Sequence, residues 1–588
     1  MSANALLVVG LSLLLGNGSS GSTRAMDFPL THGIIMTCNE GNGPEGAIQI
    51  LERMKNLGYE MVVFGTWAWT LPSPGSKVEQ KAQAVLDWCD KNNMRFFVMH
   101  GVNYGSGGEA GGRDTQALHP EMALPYVQDW ARVLHGHPSA MGVILGNEVV
   151  PSLGKPEEAP RLWAQYRGWL AEKYGSIESL NEVWRTSYGS FDEVGPQEAG
   201  QPGMVDERRY ARQVFINFYD KVFAEGLRPV AGDLLYGNKT SLDPFLHRAS
   251  SVMTMTCWDD MVAEHPLWEM KCAADTTGKP LFNSELHLYH DAFQYWPSWR
   301  VSHYRYFTSA ILGEPITGFF IWNDSLDFRR ALLGAQGTTP RVLASLKPVE
   351  RYLREFFPAY QCADVMALVT ESNYYLPGIW DGSEKLPQHP LAALYAQMGA
   401  LGRPWRYVLE DDLSTIQRGT LAVWTGGLKP ETAQALVGLP APVRVLAVEA
   451  APDKDEYGRL LPEALRDGLR RRMQVIGLPE LGETVGYAPG LPEEYRRTGL
   501  VEYWWWHPER GNFPYRVPYC LLEVKAVPVR EGTLLAVLNN SHQPQCAPIP
   551  WSDGASVVDL TTGAIVSDSE KSRSTFAALE VRLFLIRR

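Results

Sequence analysis

The sequence predicts an α/β protein in which a (β/α)8 TIM barrel is followed by a small flavodoxin-like α/β domain and a C-terminal antiparallel β-sandwich. Three observations lead to this prediction. The chain has 588 residues, which is longer than a single hydrophobic core supports. From about residue 30 to 355, short apolar runs alternate with amphipathic helical segments, as expected for a parallel sheet covered by helices. The last residues, about 515 to 588, form short β-rich runs separated by turn residues.

Eight strand candidates in the first region indicate a closed barrel rather than an open, doubly wound sheet. The fourth candidate is followed by a long connection, residues 149–227, with helical patterns around 159–174 and 203–226. We interpret this connection as an insertion over the barrel mouth. The candidates are HGIIMTC (32–38), EMVVFGTW (60–67), RFFVMHG (95–101), MGVILGNE (141–148), RPVAGDLLY (228–236), VMTMTCW (252–258), PLFNSELHL (280–288) and TGFFIWND (317–324).

The same patterns divide the chain into segments. A second alternating region, with runs such as DVMALVTES and VRVLAVE, indicates a smaller parallel sheet. A stretch rich in Gly, Pro and aromatic residues precedes the final β-rich runs. The predicted segments are a possible signal peptide or extension (1–25), the barrel (26–358), the α/β domain (359–480), a linking segment (481–514) and the β-sandwich (515–588).

Composition excludes several classes of function. The net charge of −12 argues against a nucleic-acid partner. The seven cysteines are scattered and never spaced as CxxC, so neither a disulfide framework nor a cysteine-rich zinc site is expected. Neither GxxxxGK[ST] nor HExxH occurs, which leaves phosphate-cradling and zinc-protease chemistry without support. We therefore expect no metal and no organic cofactor.

The N-terminal residues bear on localisation. The run ALLVVGLSLLL (5–15) is similar to the apolar core of a signal peptide, yet no Lys or Arg precedes it. Met26 is an alternative start. We expect a secreted or periplasmic protein if residues 1–25 are a signal peptide, and a cytoplasmic protein otherwise. The apolar run is too short for a membrane span, so no membrane partner is expected.

Two glutamates lie at predicted strand ends. Glu148 closes the fourth strand candidate, and Glu285 lies near the end of the seventh. In barrels of this kind, reactive groups come from the carboxyl ends of the strands. A pair of carboxylates in one mouth can protonate a leaving oxygen and attack a sugar carbon. The chemistry indicated is therefore glycoside hydrolysis.

The Asn-Glu dipeptide occurs three times, and strand position separates the copies. Asn147–Glu148 ends the fourth strand candidate, whereas Glu182 falls in helix-like or loop-like sequence within the insertion. Glu40 follows the first strand candidate, which suits binding of a sugar hydroxyl better than attack at the anomeric carbon. We therefore assign catalysis to Glu148 and not to the other two glutamates.

These motifs resemble those of clan A glycoside hydrolases, in which the acid/base Glu follows Asn on strand four and the nucleophile lies on strand seven. GNEV and NSELH carry that match. The three-part layout more narrowly resembles family 42 β-galactosidases and the related family 164 β-mannosidases. FGTWAWTLPSPG (64–75) is similar to the second-strand motif of family 42, and WLAEKYGSIESLNEVWRTSYGSFDEV (169–194) to its segment after strand four.

The resemblance implies roles for individual residues and an oligomeric state. Glu148 is implied as general acid/base, Glu285 as nucleophile and Asn147 as a hydrogen-bond partner of the sugar 2-hydroxyl. Trp322 is implied as the apolar floor beneath the sugar ring. The middle domain implies a homotrimer. Further candidates for sugar contact, because they cluster at predicted strand ends, are Glu40, Trp67, His100, Trp258, His287 and Tyr289.

The sequence departs from family 42 at two places, and both concern the sugar. Thr66 stands where that family usually has an acidic residue, and GVILG replaces a run that contains Trp before the Asn-Glu pair. The predicted activity is a retaining, exo-acting β-glycosidase on terminal β-linked hexose, of the β-galactosidase or β-mannosidase type. The alternatives are an endo-acting β-glycanase of the same clan and a barrel that binds carbohydrate without catalysis.

Overall fold

A computed structural model describes most of the chain after residue 30. The described residues are 31–37, 43–66, 71–101, 104, 112–146, 149–198, 200–232, 234–240, 242–250, 252–260, 267–287, 299–312, 316–320, 342, 344–375, 389–507 and 511–587.

The first sheet contains eight strands, and every recorded neighbour pair is parallel. The strand order is β5-β4-β3-β2-β1-β8-β7-β6. The amides of Thr254 and Met255 both donate to the carbonyl oxygen of Tyr236 (2.9 and 3.1 Å), which joins the two ends of this order. The sheet therefore closes on itself, as predicted. Its strands are β1 Thr31–Thr37, β2 Met61–Thr66, β3 Arg95–His100, β4 Ala140–Leu145, β5 Leu235–Asn238, β6 Thr256–Asp260, β7 Leu281–His287 and β8 Ile316–Phe320.

The fifth strand begins later than the sequence pattern predicts. Residues 228–231, which we expected to start it, form a helical turn that continues a π-helical segment, Val222–Leu227. Pro229 is the second residue of this helical turn, and its fixed φ is compatible with a helical backbone. The apolar run alone could not separate the end of a buried helix from the start of a buried strand.

Side chains alternate between two faces of the barrel strands. One set meets along the barrel axis, where the rings of Phe97 and Phe282 stack at 5.0 Å. The intervening residues, such as Phe96 and Phe64, pack outward against the helices. The strands are thus buried on both faces, which explains their near-continuous apolar sequence. The buried interior set is Met61, Val63, Phe97, Met99, Ile144, Leu235, Met255 and Phe282.

Helices surround the barrel and form the predicted insertion after β4. Helices α5 and α7 coincide with the two helical patterns expected there. Between them, Ser176 caps α6 by accepting a hydrogen bond from the amide of Ser179 (3.2 Å), which places Asn181 and Glu182 within a helix. The helices are α1 Gly43–Asn56, α2 Lys77–Asn92, α3 Arg113–Leu118, α4 Leu124–Leu134, α5 Pro160–Tyr174, α6 Ile177–Trp184, α7 Met204–Lys221, α8 Arg228–Ala231, α9 Pro244–Ala249, α10 Leu267–Thr276 and α11 Trp299–Leu312.

A second, five-stranded parallel sheet follows, in the order β10-β9-β11-β12-β13. This is the order of a flavodoxin-like sheet, with the first strand inside and the second at an edge. Its strands are β9 Val365–Val369, β10 Arg406–Leu409, β11 Gly419–Val423, β12 Val443–Val448 and β13 Met473–Ile476. The helices of this region are α12 Glu350–Leu353, α13 Phe356–Gln361, α14 Glu371–Tyr374, α15 Pro390–Gly399, α16 Pro430–Val437, α17 Glu463–Arg472 and α18 Leu481–Val485.

The remaining strands pair antiparallel in three small sheets. One hairpin, β14 with β15, begins inside the segment predicted as a linker. The strands are β14 Thr498–His507, β15 Gly511–Cys520, β16 Leu522–Val529, β17 Gly532–Asn539, β18 Gln545–Ala547, β19 Ser556–Asp559, β20 Ser574–Phe576 and β21 Val581–Arg587, with one helix, α19 Asp568–Ser572. The exact domain boundaries stay a prediction. Among the described helices, none combines the length and the apolar character that crossing a membrane requires.

Candidate active site

The parallel barrel brings all eight carboxyl strand ends to one rim. The fourth strand ends at Leu145, two residues before Asn147, and the seventh strand contains Glu285 two positions before its last residue, His287. For three predicted site residues the structure describes the backbone alone, and these are Trp258, Glu285 and His287. Six others lie outside the described residues, and these are Glu40, Trp67, Asn147, Glu148, Tyr289 and Trp322.

The seventh strand accommodates one extra residue relative to both of its neighbours. On one side, Trp258 of β6 is opposite Asn283, and the next pair is Asp259 with Glu285. On the other side, the register with β8 shifts between Asn283 and Leu286. Both shifts fall on the same short stretch. The strand therefore carries a β-bulge immediately before Glu285, and bulges of this kind redirect the residues that follow them.

The bulge changes which residues of β7 belong to the interior face. Before it, Phe282 lies in the barrel interior and Asn283 falls on the opposite face. After it, the register places position 285 on the interior face. The register of the neighbouring strand β6 leads to the same face. Asp259 is the register partner of Glu285. It comes four residues, or two full alternations, after Met255, which belongs to the interior set. Without the extra residue, strand alternation would place position 285 on the helix side.

The same register assigns faces to the other predicted residues of β6 and β7. His287 comes two residues after Glu285 and falls on the interior face. Trp258 pairs with Asn283 in the backbone register, and its contact with the sugar stays a prediction. The register partner of Glu285 on β6 is Asp259. The sequence reasoning missed this residue, although the same strand-end rule finds it in TCWDD.

His100 faces away from the barrel axis. Its Nδ1 is 2.8 Å from the hydroxyl of Thr66, and its ring lies 6.4 Å from that of Trp130 on α4. Burial lowers the pKa of His100 to about 3, so the imidazole is neutral between the strands and the helices. The prediction of sugar contact by His100 is therefore corrected, because strand-end position alone does not determine the face.

The chain leaves β4 through a tightly packed glycine. Gly146 has φ +77°, and a Cβ placed on it would lie 2.6 Å from the hydroxyl of Tyr219. Tyr219 is a residue of α7, and its hydroxyl also accepts a hydrogen bond from the amide of Tyr104 (3.1 Å). The insertion helix thus supports the backbone directly before Asn147 and Glu148.

A hydrogen bond from the next strand holds the other side of this turn. The amide of Val149 donates to the carbonyl oxygen of Lys239 (3.2 Å), one residue after the end of β5. With its amide oriented to satisfy its neighbours, Asn238 donates to the carbonyl of Leu145 (2.9 Å). Lys239 is fully buried, and a lysine is rarely fully buried unless it is paired. Lys239 is a second residue at this rim that sequence reasoning missed.

A possible cation-ligand group elsewhere in the barrel is explained by local structure. Asp87, Asp90 and His137 present ligand atoms within 4.8 Å of one another. However, Asp90 is bonded to Nδ1 of His137 (2.7 Å) and to the amide of Ser139 (2.9 Å). Ser139 directly precedes β4, so this group lies at the opposite end of the barrel from the rim. It fixes the start of the strand, as residues at that end generally do.

Comparisons with solved structures identify proteins with this fold. No protein-family model matches the sequence, and no curated protein is significantly similar to it. Gan42B, a GH42 β-galactosidase from G. stearothermophilus, matches with a TM-score of 0.65 and 14% identity, over 96% of this chain and 99% of that one. The β-galactosidase from Bacillus circulans sp. alkalophilus matches with a TM-score of 0.65 and 13% identity, over 95% and 99%. That from the haloarchaeon Halorubrum lacusprofundi matches with a TM-score of 0.61 and 15% identity, over 94% and 99%.

The chain shares the fold of these enzymes. The match extends over nearly the whole of both chains, so it includes the barrel and the sheets that follow it. The resemblance to the layout of family 42 that the sequence motifs predicted is therefore confirmed. At 13–15% identity the likeness concerns the fold, and a fold hosts more than one function.

Proposed function

We propose that this protein is a retaining, exo-acting β-glycosidase of the β-galactosidase or β-mannosidase type. The observation that carries the proposal is the bulge in β7, which moves position 285 to the interior face at the rim where β4 leads into Asn147 and Glu148. A strand irregularity that brings a carboxylate residue to the mouth of a barrel suits a catalytic residue better than a structural one.

The strand order suits two carboxylates with separate roles. Going round the barrel, β5 and β6 lie between β4 and β7, so the two glutamates belong to different walls of one mouth. A retaining glycosidase needs its pair at about 5–5.5 Å. Glu148 protonates the leaving oxygen while Glu285 attacks the anomeric carbon and forms a glycosyl-enzyme. Glu148 then takes a proton from water, which releases the sugar with its configuration retained.

The remaining rim residues complete the proposal for substrate binding. Asn147 donates to the sugar 2-hydroxyl, a contact that strengthens in the transition state, and Trp322 provides the apolar floor. Asp259, as the register neighbour of Glu285, joins the group. Further proposed sugar contacts are Glu40, Trp67, His287 and Tyr289.

The fold comparisons favour galactose over mannose. The similar structures named above are β-galactosidases, so a terminal β-galactoside is the first substrate to test. Thr66 does not argue against this sugar, because its side chain bonds to His100 on the helix side of the sheet.

The test is hydrolysis of p-nitrophenyl β-galactoside, β-mannoside, β-glucoside and β-fucoside by the wild type and three variants. We expect Glu148→Gln and Glu285→Gln each to lower kcat/KM on the preferred sugar at least about a thousandfold. Glu182→Gln is the matched control, because Glu182 belongs to the same dipeptide but lies exposed on α6. Full activity in Glu285→Gln would contradict the proposal.

Azide separates the two roles. In a Glu148→Ala variant we expect azide to restore turnover of an activated substrate and to yield a β-glycosyl azide, because the nucleophile is intact. In Glu285→Ala the expected product is the α-glycosyl azide. Turnover of a β-glycan polymer without any aryl glycoside would favour the endo-acting alternative. Sugar binding without any turnover would favour the non-catalytic barrel.

A further inference from the structure

A cavity of about 580 Å³ lies between the barrel insertion and the second sheet. Its wall includes Arg208 near the start of α7, whereas Tyr219, which supports the candidate active site, is eleven residues further along the same helix. Eleven helical residues span about 16 Å. The cavity is therefore separate from the barrel mouth.

The cavity opens at the point in the second sheet where ligands of such folds bind. From β9 the chain moves outward to β10 and then returns to β11 on the other side of β9. The wall is built from residues that directly follow these strands, including Ser372 after β9 and Gly426 after β11. In open α/β sheets this switch point forms a crevice for ligands, and the volume lies in the range of small-molecule sites.

Two arginines in the wall have no carboxylate partner within ion-pair distance among the described residues. Arg208 donates to the carbonyl of Tyr375 (2.8 Å) and stacks on its ring at 5.2 Å. Arg185 donates to the carbonyl of Gly458. By contrast, Arg209, next to Arg208, forms ion pairs with two glutamates. Burial lowers the pKa of Arg208, and the nearby Tyr375, Asp243 and Glu207 offset only part of that shift.

A buried acceptor lies in the same wall. The side chain of Glu456 is 9% exposed, and one of its oxygens accepts from Arg209 at 3.3 Å. The other oxygen, Oε2, has no hydrogen-bond partner among the described residues. A buried polar atom without a partner costs free energy in the empty state. Together with the hydroxyl of Ser372 and the amide of Gln201, it suits a ligand that carries hydroxyl groups.

We propose that this cavity binds a hydroxylated organic anion of the size of a sugar phosphate. The phosphate or carboxylate of the ligand binds the guanidinium groups of Arg208 and Arg185, which present paired donors to such oxygens. Its hydroxyl groups bind Glu456 and the neutral polar side chains. This site is independent of the proposed glycosidase activity.

The test is calorimetric titration of the full-length protein with glucose 6-phosphate, glucuronate, inorganic phosphate and glucose. We expect glucose 6-phosphate or glucuronate to bind at least about tenfold more tightly than glucose, and more tightly than inorganic phosphate, which lacks the hydroxyl groups. Whichever of these two ligands binds more tightly shows whether the site prefers a phosphate or a carboxylate group. Absence of binding by both up to about 10 mM, or equal binding of glucose, would overturn the proposal.

Variants locate the binding in the cavity. Arg208→Gln is expected to weaken binding of the preferred anion at least about tenfold, whereas Arg471→Gln, an exposed arginine on α17, is expected to leave it unchanged. Glu285→Gln should also leave it unchanged, which keeps this result distinct from failure of the glycosidase proposal. Undiminished binding in Arg208→Gln would overturn the proposal.

A second variant tests the same site if Arg208→Gln does not fold. A Cβ built on Gly426 meets no atom within 4 Å, so Gly426→Phe introduces a ring at the cavity wall without removing a charge. We expect this variant to lose anion binding while its unfolding midpoint stays close to that of the wild type. Retention of binding with the ring in place would count against the cavity as the site.

Discussion

At the scale of the residue, the backbone of Gly146 controls how the chain reaches the proposed acid/base. Its φ of +77° is costly for any residue with a side chain, and the Tyr219 hydroxyl occupies the space that a Cβ needs. Gly58 offers a matched comparison, because its φ is +97° but no atom lies within 4 Å of its Cβ position. A substitution at Gly58 therefore introduces backbone strain alone, whereas one at Gly146 introduces both backbone strain and a steric clash.

We predict that Gly146→Ala lowers kcat/KM at least about tenfold and destabilises the protein by about 2 kcal/mol, because the clash displaces the turn before Glu148. Gly58→Ala should lower stability and leave activity unchanged. Activity assays and thermal unfolding measure both effects. In a Tyr219→Phe background the effect of Gly146→Ala should shrink, and an equal effect in both backgrounds would exclude the clash as its cause.

At the scale of the element, α7 is attached to the second sheet by buried charges. Arg209 and Arg212 of α7 both form ion pairs with Glu371, the first residue of α14. Lys429 pairs with Glu371 at 3.2 Å and with Glu410 at 2.9 Å. The helix that supports the candidate active site at one end is thus connected, at its other end, to the neighbouring sheet.

This network predicts an acid-sensitive contribution to stability. Burial alone would raise the pKa of Glu371, but the charges of Arg212, Arg209 and Lys429 outweigh it and hold the pKa at about 2, against an ordinary value of 4.5. Because the pKa is depressed in the folded state, the stabilisation is present above about pH 4.5 and is lost as the pH falls towards 2. It amounts to on the order of 3 kcal/mol.

The pH dependence of this stabilisation is measured from the unfolding midpoints of the wild type and Glu371→Gln between pH 7 and pH 2. We expect the wild type to be the more stable protein at pH 7 and its advantage to disappear progressively below pH 4.5. An advantage that is independent of pH would show that packing, rather than charge, is responsible.

At the scale of the whole molecule, a buried cluster of four charges joins the barrel to the C-terminal strands. Lys271 and Asp275 of α10 pair at 2.9 Å, and Glu523 and Lys525 of β16 pair at 2.7 Å. None of the four side chains is more than 3% exposed. Both ammonium groups lie within 6 Å of the ring of Tyr360. Buried pairs of this kind add little net stability, but the loss of one partner is costly.

We therefore predict that Glu523→Gln destabilises the protein by about 3 kcal/mol, because it leaves the Lys525 ammonium buried without its carboxylate. The double variant Glu523→Gln/Lys525→Met should recover at least half of that loss. Denaturant unfolding of the two variants and the wild type tests this. A double variant less stable than the single one would contradict the argument.

The oligomeric state is also a prediction at this scale. The resemblance of the layout implies a homotrimer, and sedimentation equilibrium should give about three times the mass of one chain. A species with the mass of one chain at all concentrations would contradict the prediction.

The sequence alone determined which segments become strands, because buried parallel strands need near-continuous apolar runs and their ends carry polar residues. It therefore indicated the eight barrel strands and the rim positions of Glu148 and Glu285. It could not determine the face of a residue. His100 was expected in the cleft from its strand-end position, and the structure places its ring on the helix side.

Only the tertiary structure decided those faces, because alternation along a strand has a period of two and its phase is set by hydrogen-bond register with the neighbouring strands. In β7 a single extra residue reverses that phase directly before Glu285. No local pattern in FNSELHL predicts this bulge. The cavity beside Arg208 is likewise tertiary, since it joins residues more than 200 positions apart. Local sequence preference determines which segments form helices and strands, whereas the packing between those elements determines which neighbours each side chain contacts.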